Sequence, residues 1–485
     1  MTRGMYFGIY LCGILAMTLA DSTCIYKECD CEGTIILCRE LGLTKIPQVG
    51  TVQSEYQYLD LDINLITSLP AGSCPTNLQE ISLMYNPITT IDDSAFDDCA
   101  NTLQSLTFSD ALFTRIPDAF SHFKRLTSLN IYRTQIQDWN SQAMSSLGHT
   151  LQTLDLDNCG MTNWPNWIKN YTNLTELSLS GNFLSSVPDD ALDSLSNSLT
   201  TLVLQNNSLT SVPKTLSKFT ALTLLYLQQN KISDVSWLPS GSKLTFLSLN
   251  HNNIFDHIQL SNALRPYSKT LNHLDIKNNH LTAIPDVGFL ELMSSLDFSS
   301  NRISDSLGGS VPAGINSLDL ESNAFRLIPK VLWAVQAVTY MLLSSNRIID
   351  LGEMSIPPWI YGADLGNNLV VEITDSNFPK NSSLQMLHLN NNPIVRISDN
   401  AFKNLPRIYF LDLQNTKLTR MPLGLASAVG LNNLDLAGSS SLVCTCLEKS
   451  LAQWIMSIPD GNVNGDCGQT SIVTFYRDLS PLCSK

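Results

Sequence analysis

One eleven-residue frame, L-x-x-L-x-L-x-x-N-x-L, constrains this chain more than any other feature. It starts seventeen times, at Tyr56, Leu78, Leu103, Leu126, Leu151, Leu174, Leu199, Leu222, Leu244, Leu271, Met293, Ile315, Val338, Ile360, Leu384, Ile408 and Leu431. Apolar residues at positions 4 and 6 alternate with variable ones at 3, 5 and 7, the period of a short strand with one buried face. A lone strand of that kind is unstable, but copies stacked about 4.8 Å apart share one parallel sheet and a continuous core. Where the chain leaves each strand, buried backbone groups need partners, and an inward Asn supplies both donor and acceptor. Position 9 reads Asn64, Asn86, Ala111, Thr134 and Cys159, then Asn in ten consecutive copies from Asn182 to Asn392, then Thr416 and Ser439. Cysteine is small, tolerates burial and has a weak S–H donor, so Cys159 reads as a ladder residue rather than a reactive thiol.

This frame resembles the leucine-rich repeat family over nearly the whole chain. The resemblance implies an α/β solenoid, a horseshoe of about 17 repeats with a parallel β-sheet on the concave face. Short helical or irregular turns would form the convex face, with disulfide caps at both ends. Connections such as "PDAFSHFKRL" and "PKTLSKFTAL" have room for only a helical turn or two. The longer early repeats carry related inserts ("DCANTLQSL", "SLGHTLQTL", "SLSNSLTTL"), consistent with duplication of a two-repeat unit.

Residues 1–20, "MTRGMYFGIYLCGILAMTLA", have one early Arg, an apolar run and a small residue at Ala20, the pattern of a secretory leader. No later stretch has the apolar length of a spanning helix, so a soluble, secreted, extracellular protein is expected. Of twelve cysteines, Cys12 falls in the leader. Cys24, Cys29, Cys31 and Cys38 lie in residues 21–55, which look like the N-terminal cap of extracellular leucine-rich repeat proteins. Residues 56–441 hold the repeats. Cys444, Cys446, Cys467 and Cys483 lie in residues 442–485, which look like the C-terminal cap, with Trp454 as core plug. The resemblance implies pairing Cys24–Cys31, Cys29–Cys38, Cys444–Cys467 and Cys446–Cys483, although spacing alone allows other connectivities. Cys74 and Cys99 each precede a repeat start by four residues, so they stack on adjacent coils within disulfide reach. Cys159 is then the odd thiol. Sequons stand at Asn170, Asn173, Asn206 and Asn381.

Catalytic and cofactor motifs are missing: there is no H-E-x-x-H, G-x-S-x-G, phosphate loop or EF-hand spacing, so neither an enzyme nor a cofactor or metal site is expected. His251 and His273 fall on neighbouring strands but are too few for a metal. The net charge of −14 argues against nucleic acid or an anionic membrane as partner. Outward strand positions carry the remaining signal, because side chains there cannot reach the core. Val203, Leu224, Tyr226 and Phe246 form one cluster, Tyr340 with Leu342 a second, and Met386, His388 and Phe410 a third. Position 5 is rich in Asp (Asp60, Asp155, Asp275, Asp297, Asp319, Asp364, Asp412 and Asp435). That row simply solvates the face or, at Asp275, Asp297 and Asp319 with Glu321, makes a negative stripe for a basic partner or a cation. These features imply a secreted scaffold that binds a protein ligand (matrix, receptor or immune partner) on the concave face. The alternative is a non-catalytic carrier or stabilising subunit of a secreted enzyme. The carboxypeptidase N regulatory subunit and the shrimp (Oplophorus) luciferase accessory subunit are leucine-rich repeat chains of that kind, and the paired inserts are similar to arthropod members of the latter group.

Overall fold

The computed structural model describes residues 24–47, 56–459 and 461–483. The expected leader over residues 1–20 lies outside the described residues, as do residues 48–55 of the expected N-terminal cap. The chain falls into two compact units, Met1–Phe113 with Pro117–Leu126 and Thr114–Ile116 with Thr127–Lys485.

In the first unit, strands Ile35–Leu37, Tyr58–Asp60, Glu80–Met84 and Ser105–Ser109 run parallel, Leu59 opposite Ile81 and Ile81 opposite Leu106. Asp30–Glu32 pairs antiparallel with Ile35–Leu37, ending the sheet with a hairpin. The second unit repeats the arrangement from Ser128–Tyr132 to Asn433–Asp435, and Val463–Asn464 adds a last parallel strand. Register is constant: Leu177, Leu202, Leu225, Leu247 and Leu274 face one another in succession. Position 4 and 6 side chains are buried throughout, as in Leu202, Leu204, Leu225 and Leu227. Each unit is therefore a leucine-rich repeat solenoid. The long repeats put their extra residues into helices. Ser141–Ser146 starts at an Asn140 cap, and His257–Leu264 starts at Asp256, whose carboxylate accepts from Ile258 and Gln259 N–H.

Position 8 is the tight corner of every coil. All seventeen residues there have positive φ, among them Ile63 (55°), Arg133 (47°), Asn206 (53°), His251 (54°), Ser300 (55°) and Gly438 (73°). Asn and Gly adopt that conformation most readily, and β-branched Ile63 does so at a cost.

The next residue holds coil to coil. Asn182 Nδ2 donates to the carbonyls of Leu156, Leu179 and Ser180, while its Oδ1 accepts from Cys159 and Met161 N–H. The other ladder asparagines from Asn207 to Asn392 make the same donations to the preceding coil, as Asn207 does to Leu179 and Asn392 to Leu365. Cys159 is fully buried, and its thiol donates to the Ile131 carbonyl at 3.2 Å, the same step back along the stack. Sulfur offers no second oxygen, so Ile136 N–H turns instead to the Cys159 main-chain carbonyl at 3.1 Å. Burial pushes the thiol up to about 12, so it stays protonated and donates.

Five disulfides close: Cys24–Cys31, Cys29–Cys38, Cys74–Cys99, Cys444–Cys467 and Cys446–Cys483. Cys159 is the free cysteine among the described residues. At the C-terminal end the plug differs from expectation. Leu451, Ile455, Ile472 and Tyr476 are the buried side chains, whereas Trp454 is only half-buried and anchors its indole N–H on the Ala428 carbonyl at 3.2 Å. A helix that must bury Leu451 and Ile455 on one face leaves Trp454, between them, at its margin.

Candidate binding face

Outward strand residues form rows across neighbouring coils, since constant register puts equal positions side by side. Val203, Leu224, Tyr226, Phe246, Asp275, Asp297, Asp319, Tyr340, Leu342, Met386, His388 and Phe410 all lie in strands and are all half-buried.

The first cluster is the tightest. Val203 pairs with Tyr226 and Leu224 with Phe246. The Tyr226 and Phe246 rings are 4.7 Å apart, and Phe246 stacks on His273 at 4.4 Å with planes 7° apart. His273 thus belongs to this cluster and not to a pair with His251, whose Nδ1 bonds the Asn250 side chain. Burial lowers the pKa of the His273 imidazole, favouring its neutral form. Two residues after Tyr226, the position 7 Gln228 bonds the Gln205 side chain, and Asn250, in the same position, bonds Asp275. The missed signal was positional: His273 occupies position 3 one repeat after Phe246.

In the second cluster the Tyr340 ring covers Gly362, where an added Cβ would lie 2.3 Å from the ring. Only glycine permits that cover. In the third, Met386 pairs with Phe410, and the His388 ring lies 5.0 Å from Phe410. His388 Nδ1 is 3.5 Å from Asp412, and that hydrogen bond raises its pKa.

The Asp row has an architectural use. Asp297, Asp319, Asp364, Asp412 and Asp435 each accept, through Oδ1, the backbone N–H two residues on. One oxygen closes the end of the strand, and the other can bond a neighbouring coil, as Asp435 Oδ2 accepts from the Gln414 and Asn464 side chains. Asp275, Asp297 and Asp319 stand in one register row, and Lys277 approaches Asp297 at 3.9 Å. Burial, with Asp297 and Glu321 nearby, pushes the Asp319 carboxyl up to about 6. Among the described residues no three His, Cys, Asp or Glu side chains converge where they could hold a metal ion.

A second acidic feature was not singled out from sequence. Asp155 and Asp157 face each other two residues apart, and burial, then the Asp157 charge, pushes Asp155 up to about 8. Asp157 accepts from the Ser178 hydroxyl at 2.5 Å and Ser180 N–H at 2.8 Å. Asp155 Oδ1 is buried without a hydrogen-bond partner. The sequon residues Asn170, Asn173, Asn206 and Asn381 are all exposed, with the Asn173 amide donating to the His149 carbonyl at 2.6 Å.

Comparison with known proteins agrees with the fold. "Leucine rich repeat" family models match residues 76–136 and 364–418, a two-copy "Leucine Rich repeats" model matches 197–240, and a single-repeat model matches 173–195. A Toll-like receptor 10 of Bos taurus is 32% identical over 84 residues, 17% of this chain and 10% of the receptor. The match therefore spans about a tenth of that relative. A leucine-rich repeat protein of Leptospira interrogans has a solved structure similar to 84% of this chain and 95% of its own, with a TM-score of 0.54 and 22% identity, a likeness of fold. Repeats, ladder, disulfides and matches together make this chain a leucine-rich repeat protein with disulfides near both ends.

Proposed function

We propose that this chain is an extracellular protein-binding scaffold that grips a protein ligand on the outward face of its strands, centred on Tyr226, Phe246 and His273. The observation that carries this reading is the half-buried aromatic stack on the outward strand face. Clustered aromatic side chains beside polar groups are the composition of protein-binding hot spots. The Tyr340–Leu342 and Met386–Phe410 clusters extend the same face, and the half-buried carboxylates of Asp275, Asp297 and Asp319 lie between them and the stack. Five disulfides favour an oxidising compartment, and among the described residues no helix is long and apolar enough to cross a membrane. In this reading residues 1–20 are a leader, and residues 21–55 and 442–485 close the ends of the repeats. The local likeness to a receptor fits recognition.

The test is capture from the extracellular fluid of the source tissue with two baits, the native chain and a Tyr226→Ser, Phe246→Ser double variant. The native chain is expected to retain a stoichiometric protein that the variant retains about tenfold less or worse. Equal capture by both baits would place binding elsewhere.

A further inference from the structure

Resting on the reading of the strand face as the ligand-binding surface, we infer that its stretch from Asp275 to Asp364 takes a basic protein segment, with Lys or Arg side chains flanking one apolar side chain seated on Tyr340 and Leu342. Asp275, Asp297 and Asp319 stand opposite one another on three successive strands. Like charges in that position destabilise a sheet. Glu321 adds a fourth carboxylate two residues after Asp319, and Asp364 a fifth beyond Leu342. Lys277, 3.9 Å from Asp297, is the sole lysine or arginine at the outward strand positions of these five coils. Five carboxylates thus share one cation. Burial, then Asp297 and Glu321, holds the Asp319 carboxyl up at about 6, so the crowding acts within the chain itself. A rule of sheet stability broken with no compensation inside the fold marks a functional surface.

Apolar surface is set into this acidic stretch. Leu342 lies opposite Asp319 on one side and Asp364 on the other. The Tyr340 ring covers Gly362, and burial, then the nearby Asp364 and Glu321 charges, raises the pKa of its phenol. Charge complementarity selects the occupant. One metal ion does not fit, since among the described residues no three such side chains converge to hold it. The negative charge is spread instead over five coils, about 19 Å at a strand spacing of roughly 4.8 Å. About six residues of extended chain cover that span. Lys or Arg would meet the carboxylates, and one apolar side chain between them would meet Tyr340 and Leu342. A bare polycation would leave Tyr340 and Leu342 uncovered. A purely apolar segment would bury the carboxylates unpaired, at a cost.

The experiment is fluorescence anisotropy on the full chain with a labelled synthetic peptide of alternating Arg and Leu. A Glu-for-Arg peptide and an all-Arg peptide are run beside it. The Arg/Leu peptide is expected to bind, and to bind about tenfold more weakly or worse to two variants. One is Asp297→Asn, Asp319→Asn, and the other is Leu342→Ser or, should that unfold early, Leu342→Thr. Asn keeps the oxygen that accepts the backbone N–H and removes the like charges, so the double variant should unfold no earlier than the native chain. Leu342→Met, which keeps apolar bulk, should bind normally. So should Glu28→Gln, Asp30→Asn, an equal loss of charge at exposed positions of the other unit. The proposal is overturned by absent binding, by equal binding of the Glu peptide, or by unchanged binding in either the Asp or the Leu342 variant. Equal binding of the all-Arg peptide, untouched by the Leu342 change, overturns it in favour of a general attraction for polycations. Displacement of the peptide by calcium chloride, where sodium chloride of equal ionic strength leaves it bound, overturns it in favour of a divalent-cation site. The Tyr226, Phe246 and His273 stack is altered in none of these variants. Failure here, with capture still lost by the Tyr226→Ser, Phe246→Ser bait, strikes the basic ligand alone. Peptide binding alongside equal capture by both baits strikes the aromatic centre alone.

Discussion

The Phe246 ring lies flat on the His273 imidazole, centroids 4.4 Å apart and planes 7° from parallel. On its other side stands Tyr226 at 4.7 Å. Phe246 is therefore held from two sides although it points away from the core. An aromatic pair contributes about 0.5–1.5 kcal/mol beyond its buried area, so Phe246→Ala should cost about 1–3 kcal/mol. Tyr226→Ala, which breaks one pair, should cost roughly half as much. Denaturant unfolding of the two variants checks this, and a Phe246 cost no larger than that of Tyr226 would mean the sandwich does not hold in solution.

Cys159 makes a second, opposite prediction. Cys159→Val leaves the buried Ile131 carbonyl without its donor and should cost about 1–3 kcal/mol, the range for an unmet buried acceptor. Cys159→Asn restores the ladder amide and offers Ile136 N–H a side-chain oxygen in place of the main-chain carbonyl it now uses, so that variant should be at least as stable as the native chain. Alkylation of native protein should leave Cys159 untouched, since burial holds its thiol protonated up to about 12. Rapid labelling without denaturant would contradict this.

Asp155 predicts a pH dependence. In the unfolded chain its carboxyl ionises near the usual value of about 3.9, while in the folded chain burial raises it to about 8. Below the lower value both states are protonated and the full stability is present. As pH rises, the unfolded chain gives up its proton first, so stability falls until the folded carboxyl ionises too. Unfolding midpoints of the native chain should decline from about pH 4 to about pH 8 more steeply than those of Asp155→Asn. Parallel curves for the two proteins would show that the pair is not buried as the structure has it.

The repeat frame made the core legible because periodicity at positions 4, 6 and 9 speaks through residue type. Cys74 and Cys99 were legible for the same reason, through an equal offset from two repeat starts. Position 8 was not. Its corner demands positive φ of Ile63, Arg133 and His251 alike, since the stacked backbone imposes the conformation on residues whose identity does not announce it. The Asp row read as surface charge, whereas one oxygen of Asp319 is committed to Glu321 N–H. The outward clusters were placed by counting, but the sandwich of Phe246 depends on how side chains lean between coils, so His273 was weighed with His251 instead.

The account's central claim is that the outward strand face around Phe246 meets a partner protein. The most direct measurement is photo-crosslinking in native extracellular fluid, with a benzophenone amino acid replacing Tyr226 in one sample and Val429, 85% exposed and away from the strands, in another. The account predicts a single covalent adduct from position 226 and none from position 429. An adduct from position 429 with none from position 226 would contradict it.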